Sequence, residues 1–115
     1  MSVTIYHNPG CSKSRRTLEL IREKGIEPEI IEYLKDPPDT STIERLLNLL
    51  NLQPRDLMRK NEAEYKDADL DNPKISRIAL IESMHRHPIL IERPIVVSGD
   101  RARIGRPPED ALEII

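Results

Sequence analysis

"VTIYHNPGCSKSRRTLELIREKG", residues 3–25, changes its hydrophobic period partway along. Val3-Thr4-Ile5-Tyr6 is β-branched and aromatic and stops at Asn8-Pro9-Gly10, the pattern of a short strand entering a turn. Thr17, Leu18 and Ile21 then recur at helical spacing as far as Gly25, a natural C-terminal stop. Strand, turn and helix follow one another directly. The only cysteine of the chain, Cys11, falls at the joint.

Beyond that joint, residues 29–34 (Glu-Ile-Ile-Glu-Tyr-Leu) read as a second strand, broken by Asp36-Pro37-Pro38. A βαβ unit therefore opens the protein, with parallel strands joined by a right-handed crossover. Ser41-Thr42-Ile43-Glu44 has capping-box spacing, and Ile43, Leu46, Leu47 and Leu50 form one apolar stripe, predicting a helix over about 41–50. Pro54 opens a short helical turn leading to "LMRKN" at 57–61. Residues 62–71 are strongly charged and read as surface. Asn72-Pro73 has the form of an N-cap with proline at the first helical position, predicting a third helix that ends before Pro88. In "RPIVVSGDRARIGRPP", residues 93–108, a strand at 94–97, a turn at 98–100 and a return strand at 102–104 make an antiparallel hairpin, with a short terminal helix over 109–115. This order predicts an α/β protein: a thioredoxin-like mixed sheet, a parallel βαβ plus an antiparallel hairpin, flanked by helices and carrying a helical insertion in its middle.

Composition narrows the function classes. The 115 residues fit one domain over 1–115. Lys and Arg total 18 against 20 Asp and Glu, a net charge of −2 without the basic excess of a dedicated nucleic-acid binder. Three Tyr and no Phe or Trp leave no base-stacking platform and require a core of Ile, Leu and Val. No run approaches a membrane span and no leader is visible, so a cytoplasmic protein that binds neither membrane nor nucleic acid is expected. His7, His85 and His87 lack a cysteine pair at zinc spacing, so no metal is expected. His85 and His87 read instead as helix C-terminal residues near the negative end of the dipole.

Cys11 carries the chemistry. A thiol at the first turn of a helix meets unsatisfied backbone N–H groups and the positive end of the helix dipole, both of which favour thiolate. Arg15, Arg16 and Lys13 lie within a turn, and His7 approaches from the end of the first strand. The plainer alternative, a small buried hydrophobe, fits poorly with a polar turn between Gly10 and Ser12. Ser14 stands where a dithiol oxidoreductase would have its resolving cysteine, so a covalent adduct on Cys11 must be released by an external thiol.

Four segments, "TIYHNPGCSKSRRTLELI" at 4–21, "LMRKN" at 57–61, "HPILIERPIVV" at 87–97 and "RIGRPPE" at 103–109, together resemble the glutaredoxin-linked arsenate reductase family, especially its short members. The resemblance implies Cys11 as nucleophile; Arg59, Arg93 and Arg106 as a basic site for the oxyanion; and His7, Ser14 and Arg15 as tuners of the thiolate. It also implies a cis Arg93-Pro94 bond presenting Arg93 beside the thiol. Arsenate would be the substrate, glutathione a co-substrate, glutaredoxin a protein partner, and no bound cofactor would be needed. The residue types suit that chemistry, since guanidinium groups bind tetrahedral oxyanions through paired, charge-assisted hydrogen bonds and offset the repulsion of an approaching thiolate.

Two other functions fit parts of the same pattern. One is a glutathione-dependent thiol oxidoreductase or transferase acting on another substrate through the same thiol and basic pocket. The other is a regulator that binds RNA polymerase; its relatives resemble this chain but typically switch through a CxxC pair, which Ser14 removes.

Overall fold

Antiparallel register brings three strand ends of this protein to one end of a four-stranded sheet. The structure is a computed structural model and describes residues 2–115. It divides into two compact units, the first formed by the chain up to Asp36 together with Arg93–Ile115, the second by Pro37–Glu92.

In the first unit, β1 (Val3–His7) runs into α1 (Ser12–Glu23) and then β2 (Glu29–Glu32), with β3 (Ile95–Ser98) and β4 (Arg101–Ile104) following after the second unit. The order is β2-β1-β3-β4, with β2 parallel to β1 and the other pairs antiparallel. This is the thioredoxin-like mixed sheet that the element order predicts. β1 buries Val3, Ile5 and His7 in strict alternation, whereas β3 is buried at all four positions. The core joins Val3, Ile5 and Val96 of the sheet to Leu18 and Ile21 of α1 and to Ala111 and Ile114 of a terminal 3-10 helix, Pro108–Ile114. Tyr6 pairs with Ile95, and Ile95 with Ile104, so the end of β1, the start of β3 and the end of β4 converge.

The second unit holds α2 (Thr40–Leu50), a 3-10 turn (Pro54–Leu57), α3 (Ala63–Asp67), α4 (Arg77–Arg86) and a second 3-10 turn (Pro88–Leu90). Ile43, Leu46 and Leu47 of α2 are buried, as the apolar stripe predicts. Among the described residues no helix is long and apolar enough to cross a membrane.

Four local expectations need correction. The cap of α2 is Asp39, whose carboxylate accepts from the Thr42 amide at 2.8 Å, while Ser41 donates to that same carboxylate at 3.0 Å; the stronger acceptor moves the helix start to Thr40. α4 begins at Arg77 on a Ser76 cap, because Asn72 spends its side chain on the Lys74 amide in a separate turn. β2 ends at Glu32, whose carbonyl accepts from both Lys35 and Asp36. The charged run 62–71 is not all surface, since Tyr65 and Leu70 are buried and the Tyr65 hydroxyl donates to Asp71 at 2.6 Å. His85 lies in the last turn of α4, as predicted, and its Nδ1 reaches the Pro38 carbonyl at 2.9 Å.

Candidate active site

The loop between β1 and α1 is fixed by its own polar groups. The Asn8 side chain accepts from the Gly10 amide at 2.9 Å, the Asn8 carbonyl accepts from the Cys11 amide at 3.0 Å, and Arg15 donates to the Pro9 carbonyl at 2.8 Å. This turn leaves Cys11 as the N-cap of α1, in extended backbone, half-buried and without a disulfide partner. A neutral Cys11 makes no capping hydrogen bond. Its thiolate is another matter. Burial pushes the thiol pKa up, but the Ser14 and Lys13 amides and the hydrogen bond and charge of Arg93 together hold it below the ordinary value.

Arg93 immediately precedes β3, and its bond to Pro94 is cis, as the resemblance implies; the Arg106-Pro107 bond is cis as well. Its Nε and Nη1 are buried without a hydrogen-bond partner among the described residues. Native structures rarely strand two buried cationic donors, and a guanidinium with unspent N–H groups has the chemistry to bind an anion.

Ser14 is wholly buried, and its Oγ lies 2.6 Å from His7 Nδ1 while accepting from the Asn8 amide at 3.0 Å. The hydroxyl has one proton, and a neutral His7 takes it at Nδ1. The serine in the place of a second cysteine thus supports the thiol through its backbone N–H, and its side chain braces the loop.

Burial holds the His7 pKa below its ordinary 6.5; Glu32 opposes this, and Arg22 and Arg15 reinforce it. Unfolding restores the ordinary value, so between the two pKa values the unfolded chain binds more protons. Stability from a neutral His7 is therefore complete above pH 6.5 and is lost as pH falls towards the folded value. A melting series run downward from neutral pH should show this loss. His7→Gln, which still offers Ser14 an acceptor, should flatten the dependence, and an unchanged slope would assign it to other groups.

Cys11, Arg93, His7, Ser14, Arg15 and Arg106 all belong to the first unit. Arg106 directs its Nε to the Arg93 carbonyl at 3.0 Å. Arg59 belongs to the second unit, where its side chain is ion-paired with Glu62 and its amide donates to Leu90; its role as an oxyanion ligand stays with the sequence motif. A groove of about 600 Å³ runs along α1 past His7, Pro9, Arg15 and Arg22 but is not lined by Cys11. Sequence reading missed Gly105 and Thr17. A Cβ at Gly105 would lie 2.6 Å from Thr17 Oγ1 and 2.9 Å from Pro94 Cγ, a closeness that only the folded neighbours reveal.

Known proteins are similar to this chain along nearly its whole length. The ArsC family matches residues 6–114. An arsenate reductase of Haemophilus influenzae is 47% identical over 116 residues, covering 100% of both chains. YfgD of Escherichia coli K12, an uncharacterized protein, is 52% identical over 114 residues, 98% of this chain and 96% of its own. The solved structure of an arsenate reductase from Vibrio cholerae has a TM-score of 0.97 at 50% identity, over 100% of this chain and 98% of that one. Carrying the strand, turn and helix that place Cys11, and matched from the end of β1 to the terminal helix, the chain belongs to the ArsC family.

Proposed function

We propose that the protein reduces arsenate to arsenite through Cys11, with glutathione and glutaredoxin supplying the electrons. The observation that carries this reading is Arg93, which favours the Cys11 thiolate while keeping two buried donors unspent. Arsenate, a tetrahedral anion, would take those donors and be held against the sulfur. The arsenate reductases to which the chain is similar name the substrate.

The reaction follows from these groups. Cys11 sulfur attacks arsenic, an As–S bond forms, and an arsenate oxygen leaves as water after protonation. The thiolate of glutathione attacks the Cys11 sulfur, the S–As bond breaks, and its electron pair stays on arsenic, which departs as arsenite. Cys11 is then in a mixed disulfide with glutathione. Ser14 is no thiol and cannot resolve it, so glutaredoxin takes the glutathione and returns Cys11 to the thiol. The cytoplasm, where thiols are kept reduced, suits this sequence.

The test is arsenate-dependent NADPH consumption with glutathione, glutaredoxin and glutathione reductase present. Turnover that stops when either glutathione or glutaredoxin is omitted is the expected result. Absent turnover, with Cys11 still alkylated rapidly, would overturn the substrate assignment and favour a thiol transferase on another substrate. In the same assay Arg93→Ala should lower kcat/KM for arsenate by about 10- to 100-fold, the loss expected for charge-assisted hydrogen bonds to an anion. Arg93→Lys should recover only part, because a point charge does not reproduce a planar fork.

A further inference from the structure

The groove of about 600 Å³ along α1 has the capacity of a small-molecule site and no part in the steps above. Pro9 and the buried Leu18 line it with apolar surface, and Arg15, Glu19, Arg22 and Glu23 add charge of both signs. Positions 15, 18, 19 and 22 stand four, seven, eight and eleven residues after Cys11, the spacing of one helix face, so the groove runs down the face that Cys11 heads as N-cap. Arg15 lies one turn, about 6 Å along the axis, below Cys11, and Glu19 about 12 Å below it. Helical side chains lean towards the N-terminus, and Arg15 does so. Its Nη1 donates to the Pro9 carbonyl, which uses one of the five N–H groups of a guanidinium and holds the charge at the thiol end of the groove. Arg22, at the far end, is engaged by both oxygens of Glu27. Glu19 shares one oxygen with Arg16 in an exposed pair, and such pairs contribute little, so its carboxylate can take a second cation.

A cation and an anion one turn apart, beside apolar surface and below a nucleophilic sulfur, match a thiol whose tail ends as an amino acid, with carboxylate and ammonium on one carbon. Glutathione has such a tail. Its extended γ-glutamyl arm places that carbon about 9 Å from the sulfur, between the levels of Arg15 and Glu19. Its glycyl arm ends in a carboxylate alone and leaves Glu19 unmatched.

We propose that this groove is the γ-glutamyl subsite for glutathione: Arg15 binds the α-carboxylate, Glu19 binds the ammonium, and the arm so held brings the glutathione sulfur to Cys11. The proposal rests on the reading above in taking glutathione as the attacking thiol. Its test uses no arsenate, so the substrate assignment and the subsite can fail separately.

Cys11, the only cysteine, is converted in the full chain to its mixed disulfide with nitrothiobenzoate. An attacking thiolate forms a disulfide with Cys11 and expels the aromatic thiolate, whose absorbance gives the rate. Glutathione, γ-glutamylcysteine and cysteinylglycine are compared, each rate divided by that of the same thiol on the nitrothiobenzoate disulfide of N-acetylcysteine, so that intrinsic nucleophilicity cancels. The two γ-glutamyl thiols should exceed cysteinylglycine about tenfold, the effect of one charge-assisted contact. Glu19→Gln and Arg15→Gln, each checked by a melting curve, should lower that ratio about threefold or more.

Equal normalised rates for the three thiols would overturn the subsite. So would a preference that γ-glutamylcysteine lacks, which assigns recognition to the glycyl arm, or one that survives both substitutions, which places the γ-glutamyl arm elsewhere. A preference that follows Arg15 and Glu19 in a protein without arsenate turnover would support the subsite and overturn only the substrate.

Discussion

Cys11→Ser is expected to abolish arsenate-dependent turnover, leaving the coupled assay at its background rate. Serine differs from cysteine by one atom, and the surroundings of Cys11 are polar, so the β1 to α1 loop and its Asn8, Ser14 and Arg15 hydrogen bonds should survive the change. What disappears is a nucleophile that ionises near neutral pH. The Ser14 and Lys13 amides and Arg93 outweigh burial and bring the Cys11 thiol below its ordinary pKa. The same groups acting on a serine hydroxyl start from a far higher value and leave it protonated. A melting curve separates loss of chemistry from loss of fold, and the variant should melt close to native. Residual turnover above background would refute Cys11 as the attacking group, because no second cysteine exists to replace it.

The position of that thiol was legible because its determinants are local. A β-branched run, an Asn-Pro-Gly break and helical spacing specify β1, the turn and α1 within 23 residues, and the lone cysteine falls at the N-cap those signals define. Caps were less legible. Asp39 and Ser41 are both good N-cap residues two positions apart, and α2 starts after Asp39 because its carboxylate takes the Thr42 amide while the Ser41 hydroxyl donates to that carboxylate. Tyr65 shows a deeper limit: it lies in a charged run, and its burial depends on a hydroxyl that reaches Asp71 only after the chain folds. The arginines divide in the same way. The Arg93-Pro94 motif was visible as residues, but the unspent Nε and Nη1 of Arg93 and the aim of Arg106 at a carbonyl 13 positions away are properties of the folded chain. Sequence named the charged groups, and only the folded chain showed the unspent donors of Arg93 and the bond from Arg106 Nε to a backbone carbonyl.

Gly105→Ala should produce the largest structural effect of any single-methyl change near the site, and the reason is contact, not backbone conformation. Gly25 and Gly99 adopt positive φ, whereas Gly105 does not; alanine can take its backbone angles but has no room for the methyl. The added carbon would meet Thr17 Oγ1 at 2.6 Å, Thr17 Cγ2 at 3.2 Å and Pro94 Cγ at 2.9 Å. Thr17 is fully buried on α1 and donates to the Lys13 carbonyl at 2.8 Å, so it has little freedom to turn away. Overpacking of this kind costs about 1–3 kcal/mol, which lowers Tm by several degrees in a domain of this size. Relief at Pro94 requires displacing the segment that carries Arg93, so Cys11 alkylation should slow together with the loss of stability. Thr17→Ala tests the origin. It removes both Thr17 atoms from the clash, so adding it to Gly105→Ala should raise stability above that of Gly105→Ala alone, even though Thr17→Ala by itself is destabilising through lost packing. Only part should return, because the Pro94 contact persists. Strictly additive losses in the two variants would mean that Gly105 is not pressed against α1, and the constraint on Arg93 would then rest on the Gly105 and Arg106 hydrogen bonds alone.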